Sequence, residues 1–245
     1  MQKAIIMAAF CAVSAAGATT ANSSQIPSSE ANVTPVVIEL FTSQSCSSCV
    51  SAAIYFEELA KRPDVVALGW HVDYWNQLQT RDGRWVDPYS STEYTARQRH
   101  YNRNLRATNS VYTPQMVIGG VDETVGSSRK KVSHYIDSQK GNAKAATIAT
   151  SAKGDSVSVQ IKATMASEAY LVYFDPAADT DVSGGENAGV KFVDVNIVTG
   201  VKHLGAVKGE ANFTAQMPKD GASCAIIVQE PDLGEIRAAK YCPTI

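Results

Sequence analysis

Two cysteines separated by two residues, Cys46 and Cys49, form the pair in this sequence best suited to chemistry. A Cys-x-x-Cys pair at the start of a helix can exchange disulfides, because one thiolate attacks and the second thiol releases the product. The N-terminal end of a helix favours the thiolate at the first position. The pair therefore predicts Cys46 as the nucleophile and Cys49 as the resolving thiol, with an inert structural disulfide as the alternative.

Other uses of a Cys-x-x-Cys pair fit the surrounding residues less well. Val50 follows Cys49, whereas attachment of a c-type haem needs a histidine there. A zinc site needs two further ligands, and the four histidines are scattered without a second paired motif. A metallochaperone that holds Cu(I) through two thiolates is a further alternative. We expect no metal, nucleotide or haem, so that the Cys46–Cys49 dithiol itself serves as the cofactor.

The segments around the cysteines predict a strand, a turn and a helix. Residues 36–42 are a mostly apolar run of strand length, typical of a strand covered on both faces. Apolar residues at helical spacing follow Cys49, and Pro63 ends that helix. The alternation of strands and helices continues along the chain. A strand is predicted at 65–72, followed by a helix that a Ser90–Glu93 capping box opens. A strand at 111–118, interrupted by Pro114, and a helix at 127–139 complete the pattern.

After Gly141 the pattern changes to short alternating stretches separated by turn residues. They lie at 145–151, 155–164, 168–175, 191–198 and 224–229. This series is typical of an all-β region, plausibly a sandwich. The predicted fold class is α/β, with one domain at 35–141 and a β-rich domain at 142–245. The loop at 179–189 is expected to be the least structured part.

Residues 1–21 are typical of a secretory signal peptide, since Lys3 precedes a short apolar run that ends in small residues. Its removal takes away Cys11 and leaves four cysteines, an even number suited to an oxidising compartment. Cys224 and Cys242 flank two predicted strands and are expected to form a structural disulfide. We therefore predict a periplasmic or secreted protein without stable membrane insertion.

The formal net charge of −2 gives no reason to expect a nucleic-acid partner. One predicted helix is nevertheless basic, which is typical of a solvated face but would also suit a thiolate or an acidic substrate. Its basic residues are Arg97, Arg99, Arg103 and Arg106. Four aromatic residues would either edge a peptide groove or pack in the core: Trp70, Tyr74, Trp75 and Trp85. The expected partner is a thiol-containing protein substrate or a redox protein.

Six short motifs carry a resemblance to a known family. They are Glu39-Leu40-Phe41-Thr42-Ser43-Gln44, Cys46-Ser47-Ser48-Cys49, His71-Val72-Asp73-Tyr74-Trp75, Thr95-Ala96-Arg97-Gln98, Tyr112-Thr113-Pro114-Gln115 and Gly185-Glu186-Asn187-Ala188-Gly189. Together they resemble a bacterial family of secreted thioredoxin-like proteins that has no established function. The resemblance implies a thioredoxin-like domain at 35–141 and thiol–disulfide oxidoreductase activity. A binding or assembly protein with a permanent Cys46–Cys49 disulfide is the alternative function.

The resemblance also implies roles for residues outside the pair. In thioredoxin folds a cis-proline faces the cysteines at the position of Pro114, so Thr113 and Pro114 are expected to hold an extended substrate. Glu39 lies in the strand where thioredoxins keep a buried acid. It is expected either to move protons for Cys49 or to be an ion-paired structural acid. Val50 departs from the proline that is usual in the family after the second cysteine.

Overall fold

The computed structural model describes Met1 and residues 34–140 and 145–243. In these residues the chain is a mixed α/β protein with three helices and one large sheet. The predicted signal peptide lies outside this range, apart from Met1. The helices are α1 (Cys49–Ala60), α2 (Thr92–Arg106) and α3 (Arg129–Gln139). Within the described ranges, none of the helices combines the length and apolar character needed to span a bilayer.

The strands of the described residues are β1 (Val36–Thr42), β2 (Val65–His71), β3 (Gln79–Thr80), β4 (Gly83–Arg84), β5 (Gln115–Ile118), β6 (Asp122–Val125), β7 (Ala146–Lys153), β8 (Ser156–Asp181), β9 (Lys191–Gln216), β10 (Ser223–Gln229) and β11 (Ile236–Tyr241). The large sheet has the order β11-β10-β8-β9-β2-β1-β5-β6, and β7 pairs with β8. β3 and β4 form a separate hairpin. β1 runs parallel to β2, as the alternating pattern predicts, and antiparallel to β5.

β1 is the buried centre of the part of the sheet that carries the helices. All seven of its residues are buried. Val36, Ile38 and Leu40 pack on one face with residues of α1 and α3, while Val37 and Phe41 pack on the other face with residues of α2. The strand is therefore covered on both faces, which explains its nearly continuous apolar sequence.

The β-rich region extends this sheet, and its packing as a sandwich stays a prediction. β9 joins β2 in a parallel pair through Gly69 and Ile197. A Cβ atom at Gly69 would lie 3.3 Å from Val195 O, so the glycine allows the two backbones to come close. Val33–Ile245 forms one compact unit by its internal contacts. The division into two domains at residue 141 stays a prediction.

Several predicted elements differ from those observed. The stretches 155–164 and 168–175 are one strand, β8, whose pairing with β9 shifts register between Ala163 and Ser167. This irregularity breaks the alternation that marks a strand in sequence. The strand predicted at 111–118 begins only after Pro114. Ser91, rather than Ser90, caps α2 by accepting a hydrogen bond from Glu93 N–H.

Candidate redox site

The Cys46–Cys49 pair lies in the turn that joins β1 to α1. The two residues form a disulfide with their Cα atoms 5.4 Å apart. Cys46 N–H donates to Ser43 O at 3.1 Å, and Cys49 N–H donates to Cys46 O at the same distance. The helix begins at Cys49. Cys46 therefore lies in the turn just before α1, and not at its first residue as expected.

Both cysteine side chains are fully buried, with 0% of their surface exposed. In this disulfide form the two do not differ in exposure, although Cys46 is expected to be the more accessible of the reduced thiols. The side chains that pack around the disulfide are Val182, Phe192, Trp75, Trp85 and Val190. Because a thiolate must reach a sulfur atom directly, exchange at this disulfide requires part of the cover to move.

Residues 182–190, the loop between β8 and β9, hold the cysteine turn from outside and are hereafter the clasp. The carboxylate of Glu186 accepts hydrogen bonds from the Ser47 N–H at 2.9 Å and the Ser47 hydroxyl at 2.8 Å. The Glu186 N–H donates to Ser45 O at 3.3 Å. This loop was expected to be the least structured part, but it contains a 3-10 turn, Gly185–Asn187, that contacts the cysteine turn.

Asn187 is a buried polar residue of the clasp. Its side-chain amide donates to Gln44 O and to Cys46 O, each at 2.9 Å. Gly185 beside it has φ +72°, and an added Cβ atom would lie 2.8 Å from Ser45 Oγ. Only glycine adopts this backbone conformation at such a close approach without strain. The Gly-Glu-Asn-Ala-Gly motif is thus the segment that fits against the cysteine turn.

Behind the turn, a buried histidine lies between two buried carboxylates. His71 Nδ1 is 2.8 Å from Asp87 Oδ2, and His71 Nε2 is 3.6 Å from Asp194 Oδ1. Gln44 links both acids to the cysteine turn, because its N–H donates to Asp87 at 2.9 Å and its side-chain amide donates to Asp194 at 2.8 Å. In the sequence, His71 is one of four scattered histidines and begins one of the family motifs, whereas neither acid was predicted as a site residue.

The three ionisable groups influence one another. Burial alone would lower the pKa of His71, but the charges of Asp87 and Asp194 outweigh it, and the pKa is raised. Burial opposes ionisation of Asp87, yet His71 and two backbone N–H groups lower its pKa. Burial raises the pKa of Asp194, and the opposing effects of His71 and Gln44 are smaller. His71 and Asp87 therefore form an ion pair, and Asp194 is the group best suited to take up a proton.

Thr113 and Pro114 are joined to the cysteine cluster through Trp75. Their peptide bond is cis, the conformation that the resemblance implied. Trp75 packs against the cysteine cluster and donates its indole N–H to Thr113 Oγ1 at 2.7 Å. A Cβ atom added at Gly126 would lie 3.3 Å from the Cβ atoms of both Pro114 and Ala52 of α1. Pro114 is therefore placed beside the helix that carries Cys49.

Glu39 lies apart from the cysteines. It lies on the same face of β1 as Val37 and Phe41, which face α2, whereas α1 packs on the opposite face of the sheet. Its Oε1 accepts from Arg97 Nε at 2.7 Å, and its Oε2 accepts from the Tyr101 hydroxyl at 2.5 Å. These contacts fit the ion-paired structural acid, one of the two roles expected for Glu39. The other expected role, in which Glu39 moves protons for Cys49, stays a prediction that this placement does not favour.

The basic and aromatic residues divide between core and surface. Arg97 is largely buried and pairs with Glu39. The other arginines of α2, which are Arg99, Arg103 and Arg106, are exposed, although Arg106 lies 3.7 Å from Glu123. Trp70 is buried in the core beneath α2, while Trp75 and Trp85 pack beside the disulfide. The exposed arginines match the solvated face that the sequence favours.

A second disulfide, Cys224–Cys242, joins the ends of β10 and β11. The two Cα atoms are 5.3 Å apart, and Cys242 N–H donates to Cys224 O at 2.7 Å. The expected pairing on neighbouring strands is therefore present. It packs in the hydrophobic cluster of the β-rich region, separate from the cluster around Cys46 and Cys49.

Replacing Cys224 and Cys242 together by alanine should lower the free energy of unfolding by about 3 kcal/mol, since the disulfide closes a loop with a sequence separation of 18. Denaturant unfolding of the oxidised protein measures this. The Cys46–Cys49 pair should be reduced at the same rate in this variant. A changed rate, or peptide mapping that finds either cysteine paired with Cys46 or Cys49, would contradict separate roles for the two disulfides.

Comparisons with known proteins show a family but no function. A family model described as "protein of unknown function (DUF1223)" matches residues 37–229. A crystal structure of a protein from Agrobacterium tumefaciens is similar, with 28% identity and a TM-score of 0.71 over 84% of this chain and 93% of that chain. HBP35 of Porphyromonas gingivalis shares 11% identity, with a TM-score of 0.56 over 85% of this chain and 74% of that chain, a likeness of fold alone. No curated protein matches the chain significantly.

Proposed function

This chain belongs to the DUF1223 family of proteins of unknown function, and we propose that it is an exported, thioredoxin-like thiol–disulfide oxidoreductase. The observation that carries the proposal is the Cys46–Cys49 disulfide in the turn between a buried parallel strand and a helix. The positive end of the dipole of that helix favours a thiolate beside it. The pair of disulfides also suits an oxidising compartment outside the cytoplasm.

The exchange follows from the two thiols and their neighbours. The thiolate of Cys46 attacks a disulfide of a protein or small-molecule substrate, and one substrate sulfur leaves as a thiolate. Cys49 then attacks Cys46, restoring the Cys46–Cys49 disulfide and releasing the second substrate sulfur. Thr113 and Pro114, joined to the cysteine cluster through Trp75, would hold the extended substrate beside Cys46.

One observation favours a second candidate function. The disulfide is completely buried and the clasp binds its turn with four side-chain hydrogen bonds. A permanent structural disulfide in a binding or assembly protein would have these features. The two functions differ in how strongly the disulfide resists reduction, because structural disulfides are the more resistant.

The reduction potential of the Cys46–Cys49 pair distinguishes the two functions. We expect a value above about −300 mV, in the range of disulfides that exchange with cellular thiols. Equilibration with glutathione redox buffers followed by alkylation and mass spectrometry measures it, with Cys224–Cys242 as the internal structural reference. A potential equal to that of Cys224–Cys242, and below this limit, would leave the structural disulfide as the function.

A further inference from the structure

The second step of the proposed exchange needs a group that takes a proton from Cys49. The thiolate is the attacking species, and burial disfavours that charged form. The Cys49 side chain is 0% exposed, so bulk water does not reach it in the closed form. A group placed to accept the proton as the new sulfur–sulfur bond forms would accelerate this step.

Three observations place Asp194 close to the cysteine turn, on the side of the sheet that α1 covers. Phe192, two residues earlier and on the same face of β9, packs against the cysteines. Ala53, one helical turn after Cys49 on the same side of α1, lines a small cavity together with Asp194. Gln44 of the cysteine turn donates to Asp194 Oδ2 at 2.8 Å. The carboxylate therefore lies under α1, one helical turn along from Cys49, and is bonded to the cysteine turn through Gln44.

Asp194 also has an oxygen that is able to take a proton. Its Oδ1 lies 3.6 Å from His71 Nε2, longer than a hydrogen bond. Asp87, by contrast, accepts from His71 Nδ1 and from the N–H groups of Gln44 and Tyr89. The cavity beside Asp194 has room for about one water molecule, which is enough to carry a proton between a thiol and a carboxylate.

We propose that Asp194 accepts the proton of the Cys49 thiol, through one water in this cavity, as Cys49 attacks a mixed disulfide at Cys46. In this step the Cys46–Cys49 bond forms and the bond between Cys46 and the substrate sulfur breaks. The substrate leaves with that electron pair as a thiolate, and the Cys49 proton ends on Asp194. The inference rests on the proposed exchange activity.

The charged groups around Asp194 support this assignment. His71 faces it from β2, and Asp87 lies behind His71 in the segment before α2. The His71–Asp87 ion pair has no net charge, so the carboxylate of Asp194 is the one uncompensated charge among these three side chains. Protonation of Asp194 removes that buried charge, which favours uptake of the proton from Cys49.

Reaction of the reduced protein with Ellman's disulfide tests the assignment, because thionitrobenzoate is released twice. The first release follows attack by Cys46, and the second follows attack by Cys49 on the resulting mixed disulfide. In Asp194→Asn the second release should slow by about 100-fold at neutral pH, the lower range for a lost general base. The first release should stay within about twofold, since it does not involve proton loss from Cys49.

The pH dependence separates proton transfer from a structural effect. In the wild-type protein the second release should be nearly constant below pH 8, whereas an unassisted thiol with a pKa of about 8.5 gains about tenfold per pH unit. The Asp194→Asn variant should show that steep rise and approach the wild-type rate at high pH. The wild-type profile alone keeps the test valid if the variant fails to fold.

Asp179→Asn is the matched control, because Asp179 is exposed on β8 and pairs with Lys191. It should leave both releases unchanged. A second release in wild type that rises tenfold per pH unit, or an Asp194→Asn variant with wild-type kinetics, would overturn the role of Asp194 and leave the oxidoreductase intact. Absence of the first release in the reduced wild-type protein would overturn the proposed function itself.

Discussion

Replacing Arg97 by methionine should lower the free energy of unfolding by about 3–5 kcal/mol, the cost of leaving a buried carboxylate without its cation. Glu39 is 0% exposed, and Arg97 Nε lies 2.7 Å from its Oε1. The guanidinium also lies over the rings of Trp70 and Tyr101. Urea-induced unfolding, followed by circular dichroism, measures the change.

A double variant and a surface control identify the cause. Adding Glu39→Gln to Arg97→Met removes the uncompensated charge and should recover half or more of the lost stability. Arg103→Met changes an exposed arginine of the same helix and should alter stability by less than about 0.5 kcal/mol. If Arg97→Met is as mild as Arg103→Met, Glu39 does not depend on this ion pair.

The contacts of Glu39 show how far the sequence could predict the site. An acid inside an apolar strand marked Glu39 as notable, but the strand alone does not tell which helix covers its face. Asp194, between Val193 and Val195, gives the same local signal on β9. It reaches the cysteine turn only through Gln44, 150 residues away in sequence. The position of Asp194 relative to the cysteine turn depends on the order of the strands in the sheet, and the hydrophobic periodicity of a sequence does not reveal that order.

The elements close to the cysteines were predictable because their signals are local. β1 has the predicted bounds, 36–42, since an apolar run of this length suits a buried strand. The long strands β8 and β9 were predicted only as the shorter stretches 155–164, 168–175 and 191–198, because Gly200, Gly205 and register shifts interrupt their alternation. The connection of this region to the rest of the sheet was not predicted for a related reason. It required knowing that β9 pairs with β2, at Gly69 and Ile197.

Replacing Asn187 by alanine should increase the rate at which dithiothreitol reduces the Cys46–Cys49 disulfide by about 10- to 100-fold. The variant loses two hydrogen bonds from a buried amide to Gln44 O and Cys46 O. Each of these hydrogen bonds contributes about 0.5–1.5 kcal/mol, so their loss destabilises the closed form of the clasp, relative to the open form, by about 1–3 kcal/mol. The open form, in which a thiolate reaches the sulfur atoms, becomes more populated by the corresponding factor.

Gly185→Ala tests the same opening by a steric route. The alanine Cβ atom would meet Ser45 Oγ at 2.8 Å, in a backbone conformation with φ +72°, so the clasp must move away from the cysteine turn. Faster reduction is expected again. Ser183→Ala is the control, since Ser183 is an exposed residue of the same loop, and its rate should equal that of wild type.

The comparison of these three variants decides what keeps the disulfide closed. Reduction is followed by alkylation of the freed thiols, and thermal unfolding confirms that each variant retains its fold. If Asn187→Ala and Gly185→Ala react at the wild-type rate, the clasp does not limit access. The packing of Trp75, Trp85 and Phe192 would then be what protects the sulfur atoms. If both variants react faster than Ser183→Ala, the clasp controls when an external thiolate reaches the disulfide, because the buried sulfur atoms are attacked only in the open form.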